Sequence, residues 1–245
     1  MAQPRYGYRS TFFRDHFPPG LKWLILSNVG IFLLYFLGGG WLQRTLTTLF
    51  ALYPAGAVKS LYVWQLFTYM FLHGGIAHLL FNMLTLWFFG TQLERDWGTR
   101  RFLKYYFYCG IAAGVCVVAV NAAMGDWYTP TIGASGAIFG VLVAFGVLYP
   151  NQTVLMNFLF PIKAKYMVMI YAAIELIMTM RPGQSGISTI AHLGGMAFGY
   201  VYLKGRLPRL KLPDWQTAYK QWKLQRAKKK FQVYMKKHGN GPWVN

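Results

Sequence analysis

The sequence predicts an all-α polytopic membrane protein, a bundle of six transmembrane helices with both termini in the cytoplasm. Of its 245 residues, 55% are hydrophobic and only 13% are charged, whereas an average globular chain has about 25% charged residues. Six apolar stretches can cross a bilayer in whole or in part, and the basic residues collect on one side of them. These features exclude a disordered chain and a purely soluble nucleic-acid-binding protein.

The chain is expected to comprise a cytoplasmic N-terminal segment (1–20), a membrane domain (21–204) and a basic cytoplasmic tail (205–245). Within the membrane domain, the aromatic and half-apolar segment 38–75 is predicted to form an interfacial or re-entrant loop. A spanning helix needs about 20 apolar residues. The predicted spans are Leu21–Leu37, Ile76–Gly90, Leu103–Met124, Ala134–Tyr149, Tyr166–Met180 and Ile187–Leu203.

The distribution of basic residues predicts the orientation. With six spans, all but three of the 25 Lys and Arg residues fall in the segments on the side of the two termini. The exceptions are Arg44, Lys59 and Arg181. Because cytoplasmic loops of membrane proteins carry the excess of Lys and Arg, both termini are predicted to be cytoplasmic.

Four polar residues stand in the apolar spans, where such residues are costly and are functional candidates by default. His78 and Asn82 lie in the opening turns of the second span, Ser135 opens the fourth, and His192 lies about five residues into the sixth. These three spans run from outside to inside, so the four side chains are expected in one layer below the outer surface. A serine with a neighbouring imidazole base is suited to acyl transfer, and His78, Asn82 and the Ser135 N–H can stabilise an oxyanion.

The sequence offers no carboxylate in position to orient His192. Asp126 lies in a loop, and Glu175 is expected to lie too deep, some three turns into the fifth span. Phe139, one turn below Ser135, is expected to stack on the imidazole instead. Close helix packing is indicated by two G-x-x-x-G patterns, which are Gly136 with Gly140 and Gly195 with Gly199.

The segments that carry these residues resemble the rhomboid family of intramembrane serine proteases. The similarity runs from about Trp64 to Tyr202 and rests on HGGIAHLLFN (73–82), GASG (133–136) and AHLGG (191–195) with Gly199. The resemblance implies that Ser135 is the nucleophile, His192 the general base and then acid, and His78 and Asn82 the oxyanion hole. It also implies single-span membrane proteins as substrates, cut at or near the outer end of the helix, with access beside the fifth span. Supporting roles fall to Gly133, Gly136, Phe139, Gly195 and Gly199, and Gln65 stands where the family often has Arg.

Other features complete the prediction. No cofactor or metal is expected, because His73 and His78 lack the spacing of a helical zinc pair and His73 is interpreted as a hydrogen-bonding residue of the loop or interface. Glu94 is expected in a salt-bridged cytoplasmic cap after the second span. The tail has aromatic residues among its Lys and Arg, of which Trp215, Tyr219 and Trp222 recur at helical spacing. It is predicted to form an amphipathic helix that lies on the inner leaflet and contacts anionic lipid, and nucleic acid is not expected as a partner.

Two alternatives to a protease remain open at this stage. A non-catalytic membrane-protein chaperone or quality-control factor on the same scaffold predicts binding without cleavage. A small transporter with His78, His192 and Glu175 as a proton relay predicts pH-driven flux. The plasma membrane of a bacterial type is the expected location, because no transit segment rich in Ser and poor in acids is present.

Overall fold

The computed structural model describes residues 17–156, 159–180, 187–205, 223–229 and 234. The chain divides into two compact units, Met1–Arg206 and Leu207–Asn245. In the second unit the described residues comprise a helical segment, 223–229, and residue 234. The aromatic residues Trp215, Tyr219 and Trp222, on which the predicted amphipathic tail helix largely depends, lie outside the described residues.

The first unit consists mainly of helices, as the sequence predicts. In chain order they are α1 (Pro19–Leu37), α2 (Gly39–Phe50), α3 (Pro54–Val58), α4 (Gln65–Thr68), a 3₁₀ turn (Tyr69–Phe71), α5 (Ile76–Trp97), α6 (Thr99–Ala123), α7 (Ser135–Leu148), α8 (Ala164–Thr179) and α9 (Ile187–Leu203). Between α7 and α8 a small antiparallel hairpin is formed by β1 (Thr153–Met156) and β2 (Phe160–Lys163).

Three helices of the described chain, α1, α5 and α6, are long and apolar enough to cross a membrane, and α7 is a shorter apolar helix of 14 residues. Large apolar side chains on these helices face outward, among them Leu37 and Phe81, which are 77% and 61% exposed. Such a surface is unusual for a soluble protein and suits lipid contact. The count of six spans and the side of each terminus remain predictions.

Helix α7 occupies the centre of the unit. Ten of its 14 residues are buried, as expected for a helix that is hydrophobic all round. It packs most extensively against α9, and also against α6, α5 and α8. Because α7 begins at Ser135, this packing surrounds the serine with neighbouring helices.

Helix α5 continues seven residues beyond the predicted end of the second span, which corrects the expectation for Glu94. This side chain is 2% exposed and belongs to the helix. Its carboxylate accepts hydrogen bonds from the backbone N–H groups of Gly20 (2.7 Å) and Leu21 (2.6 Å) and from the Thr99 hydroxyl (2.6 Å). Glu94 therefore caps the N-terminus of α1, where unpaired N–H groups and the helix dipole favour an anion.

The segment between α1 and α5 is compact and largely helical. Gln65 is fully buried, and its side-chain amide donates to Thr48 O (3.2 Å) while its carbonyl accepts from Tyr53 N (3.2 Å). A two-way backbone bridge, 3.0 and 2.9 Å, joins Leu52 to Thr131. This loop is thereby fixed to the chain that leads into α7.

Candidate active site

Ser135 and His192 approach each other at the start of α7. The Ser135 Oγ lies 2.7 Å from the His192 Nε2, although the two residues are 57 positions apart and come from different helices. This distance is that of a hydrogen bond. An imidazole nitrogen at that position can accept the hydroxyl proton.

Glycines allow the two helices to come this close. A methyl group at Gly195 on α9 would overlap the Gly136 carbonyl oxygen on α7. A Cβ at Gly140 would lie 2.6 Å from the Cys109 side chain on α6. Both G-x-x-x-G patterns therefore lie where helix backbones meet, and this close packing brings His192 within reach of Ser135.

The imidazole of His192 is held on one face by an aromatic ring. The Phe139 ring lies nearly parallel to it, with 4.2 Å between ring centroids and an interplanar angle of 14°. Tyr171 of α8 meets Phe139 edge-on, with centroids 6.1 Å apart. The stack limits rotation of the ring that contacts the serine.

A carboxylate does reach His192, so the expectation that Glu175 lies too deep is wrong. The Glu175 Oε1 lies 3.0 Å from the His192 Nδ1, on the side of the ring opposite Ser135. The sequence estimate counted three turns from the start of the fifth span, whereas the contact depends on the distance from its end. Glu175 lies about 6 Å from the end of α8 at Thr179, and His192 lies about 8 Å from the first described residue of α9.

His78 and Asn82 lie next to the segment of chain that immediately precedes Ser135. Gly133 has a φ of +117°, a conformation that L side chains rarely adopt. A Cβ there would lie 2.8 Å from the His78 ring and 3.9 Å from the Asn82 Nδ2. Asn82 is 7% exposed, and its Nδ2 has no hydrogen-bond partner among the described residues. A buried amide donor left unpaired in this way is available to an oxyanion.

These side chains line one cavity of about 640 Å³. Its polar groups are few and converge at one end, whereas the rest of the wall is apolar. The lining includes Ser135, His192, His78, Asn82, Phe139, Tyr171, Phe81, Phe88, Met167 and Leu155. Pockets with a mainly apolar wall and a few convergent polar groups are typical of binding and active sites.

His73 lies outside this polar cluster, in the loop before α5. It is 1% exposed and packs edge-on against His78, with ring centroids 5.0 Å apart. Burial, followed by the charge of His78, lowers the pKa of His73 to about 4, so its ring is neutral at neutral pH. Among the described residues, no group of three or more His, Cys, Asp or Glu side chains could hold a metal ion.

Three features of the site escaped the sequence analysis: the position of Glu175, the ring of Tyr171, and the anchoring by Gln65. Tyr171 and Glu175 are spaced i, i+4, which places them on one face of α8. That spacing, combined with the direction of the span, could have predicted the positions of Glu175 and Tyr171. The hydrogen bonds of Gln65 depend on loop geometry and leave no such signal.

Comparison with known proteins supports the family resemblance. A family model described as the Rhomboid domain matches residues 60–209. Rhomboid protease GluP of Bacillus subtilis is 36% identical over 137 residues, which is 56% of this chain and 25% of that protein. Putative rhomboid protease YdcA of the same organism is 34% identical over 140 residues, 56% of this chain and 64% of the relative.

A third relative is mitochondrial. Rhomboid protein 1 of Saccharomyces cerevisiae is 32% identical over 201 residues, 78% of this chain and 54% of that protein. This chain thus spans between a quarter and just under two thirds of the lengths of these relatives. Because the Rhomboid domain model covers more than half of the chain, the protein belongs to the rhomboid family of membrane proteins.

Proposed function

We propose that the protein is a six-span intramembrane serine endopeptidase that cleaves single-span membrane proteins at or near the outer end of their helix. The observation that carries the proposal is the 2.7 Å contact between Ser135 Oγ and His192 Nε2 at the polar end of an apolar cavity. Two relatives named as rhomboid proteases support the same chemistry.

The proposed reaction begins with attack on the scissile carbonyl. His192 Nε2 takes the hydroxyl proton as Ser135 Oγ forms a bond to the carbonyl carbon, which gives a tetrahedral oxyanion. The imidazolium then passes its proton to the leaving amine as the carbon–nitrogen bond breaks. Water then attacks the resulting ester while the same imidazole takes its proton. The imidazolium returns this proton to Ser135 Oγ as the ester bond breaks and the acid product leaves.

The oxyanion is proposed to lie against donors from two helices. Asn82 contributes its unpaired amide, His78 a ring nitrogen, and Ser135 its backbone N–H at the first position of α7. The positive end of the helix dipole adds to the stabilisation. Gly133, which leaves room for the His78 ring, keeps these donors close to the serine.

Substrate access is proposed between α5 and α8, because residues of both helices line the cavity. The α5 side chains at this opening are apolar and face outward, with Phe81 61% and Phe88 43% exposed. A transmembrane segment could approach this surface from the bilayer without crossing a polar barrier. The proposal includes a bacterial-type plasma membrane, both termini in the cytoplasm, and a tail that contacts anionic lipid.

The second candidate is a non-catalytic rhomboid-like protein that binds membrane helices for quality control. It accounts for the apolar cavity equally well. It gives no role to the hydrogen bond between Ser135 and His192, which therefore favours the protease.

Reconstitution in liposomes tests the proposal. A tagged single-span substrate with an easily unwound outer helix end is incubated with wild type, Ser135→Ala and His192→Ala. We expect a fragment cut near the outer interface with wild type alone. Cleavage by Ser135→Ala would exclude the mechanism, and retained binding without cleavage by wild type would favour the quality-control role.

A further inference from the structure

Glu175 is the acidic residue that contacts the proposed dyad. Its Oε1 lies 3.0 Å from His192 Nδ1, and the side chains of His192 and Glu175 are 15% and 13% exposed. Within the described residues, His192 is the one ion-pair partner that the structure gives this carboxylate. A carboxylate so little exposed needs a compensating partner, and the imidazole is in position to be one.

Through this contact, the His192 ring lies between Ser135 and Glu175. Ser135 faces Nε2 of the ring and Glu175 faces Nδ1, while Phe139 covers one face of the ring. The Nδ1 has no aligned hydrogen bond, so the carboxylate acts on the resting ring mainly through its charge. Contacts of this kind often tighten only when the reacting complex forms.

We propose that Glu175 is a positioning residue that makes the Ser135–His192 pair a three-membered relay. This inference rests on the proposed protease function. The negative charge beside Nδ1 favours the tautomer with its proton on Nδ1, which leaves Nε2 free to accept the Ser135 proton. It also stabilises the imidazolium that forms during attack, as the carboxylate of a serine-hydrolase triad does.

A purely structural ion pair makes a different prediction. Removing the charge would then lower stability and leave the chemistry of Ser135 unchanged. The rate of serine modification, and its recovery when a shorter carboxylate is restored, therefore separate the two roles. The other titratable groups that face the ring or its helix are His78 from α5, Tyr171 from α8, and Cys116, Cys109 and Tyr105 from α6, and they stay unaltered in all variants.

The experiment compares wild type with Glu175→Gln, Glu175→Asp and Ser135→Ala in the full-length protein. Asp126→Asn is the matched control, since it makes the same chemical change at a half-buried loop carboxylate and leaves an oxygen that can accept the Thr129 N–H bond. The readouts are the rate of covalent labelling by a fluorophosphonate probe at neutral pH and the melting temperature. Labelling reports the reactivity of the serine independently of any protein substrate.

We expect Glu175→Gln to label on the order of 10²-fold more slowly, less than the ≈ 10⁴-fold loss seen when a triad carboxylate is neutralised in a serine protease. The slower rate follows because the imidazolium formed during attack loses its counter-charge. Glu175→Asp should recover most of the rate, and Asp126→Asn should label like wild type.

A wild-type labelling rate in Glu175→Gln would overturn the inference, whether or not the melting temperature falls. A slower Glu175→Gln with no recovery of the rate in Glu175→Asp would also overturn it. If wild type and Ser135→Ala are labelled equally, the protease proposal itself fails and the inference falls with it. If the labelling rate depends on Ser135 but not on Glu175, the inference fails and the protease proposal stands.

Discussion

Asn82 has a buried, unpaired donor that is unfavourable for folding and that is proposed to serve catalysis. Its Nδ2 is buried and has no acceptor among the residues that the structure describes, and leaving such a donor unpaired costs about 1–3 kcal/mol. The cost is offset if an oxyanion receives the hydrogen bond during the reaction. Gly133 also adopts an unfavourable conformation, with a φ of +117°, and its lack of a side chain leaves the space that the His78 ring occupies.

Replacing Asn82 by Ala should lower kcat for a membrane substrate by about 10²–10³-fold, the typical cost of one oxyanion donor. The value of KM should change much less, because the bond forms mainly in the transition state. Steady-state cleavage in liposomes measures both constants. Thr85→Ala is the matched control, since Thr85 lines the same cavity on the same helix. Equal kcat in Asn82→Ala and Thr85→Ala would remove Asn82 from the oxyanion hole.

At the scale of elements, the junction of α7 and α9 determines whether Ser135 and His192 meet. The two helices come into contact at Gly195, where any side chain would collide with the backbone of Gly136. Backbone atoms cannot move aside as the end of a flexible side chain can. A larger residue there must therefore separate the helices.

Gly195→Ala should therefore reduce cleavage strongly and destabilise the protein by about 1–3 kcal/mol, as overpacking in a core does. Gly30→Ala provides the control, because Gly30 lies within α1 and a Cβ there meets nothing within 4 Å. That substitution should be neutral or stabilising by up to about 1 kcal/mol. Thermal denaturation in detergent and the cleavage assay check both. Full activity in Gly195→Ala would show that the dyad does not require this close approach.

The contact between Glu94 and the start of α1 is a second element-scale feature. Its carboxylate accepts two backbone N–H bonds and one hydroxyl bond, and Gly20 lets the backbone come close to it. Glu94→Gln removes the charge and one acceptor oxygen. We expect a loss of about 1–3 kcal/mol, the range for hydrogen bonds to a charged group, with cleavage retained below the new melting temperature. Unchanged thermal stability relative to Asp126→Asn would contradict this role.

Periodicity and hydropathy predict the helices of this protein better than they predict its polar contacts. The predicted end of the sixth apolar segment, Leu203, coincides with the end of α9, because its apolar run ends where the basic tail begins. By contrast, α5 runs past Gly90 to Trp97, because Glu94 is compensated by α1 amides that are distant in sequence. The β1–β2 hairpin has too few residues to show a pattern of its own.

At the scale of the whole molecule, the arrangement of the site depends on alternating helix directions. The motifs predicted Ser135, His192, His78 and Asn82 because each stands in an apolar stretch that is otherwise nearly free of polar groups. Glu175 was misplaced because its position was counted from the start of its helix, whereas it lies near the end of α8 and meets His192 near the start of α9. The side chains that meet in a bundle thus depend on the relative direction of neighbouring helices as much as on position within each helix.

The same topology makes a prediction about the two faces of the molecule. If Ser135 lies below the outer surface, the loop at Lys59 is extracellular and the hairpin end at Lys163 is cytoplasmic, and both residues are exposed. In a Cys109→Ala, Cys116→Ala background, Lys59→Cys should react with a membrane-impermeant maleimide in intact cells. Lys163→Cys should react only after permeabilisation.

The reverse pattern would place Ser135 near the inner surface, and the proposed cut would then lie at the inner end of the substrate helix. Reaction of both cysteines in intact cells would contradict six spans with alternating direction. Reaction of Lys59→Cys alone in intact cells would instead place the dyad in the outer half of the bilayer. Helix α9 then enters from outside and α8 ends there, which is the condition for Glu175 and His192 to meet at one depth.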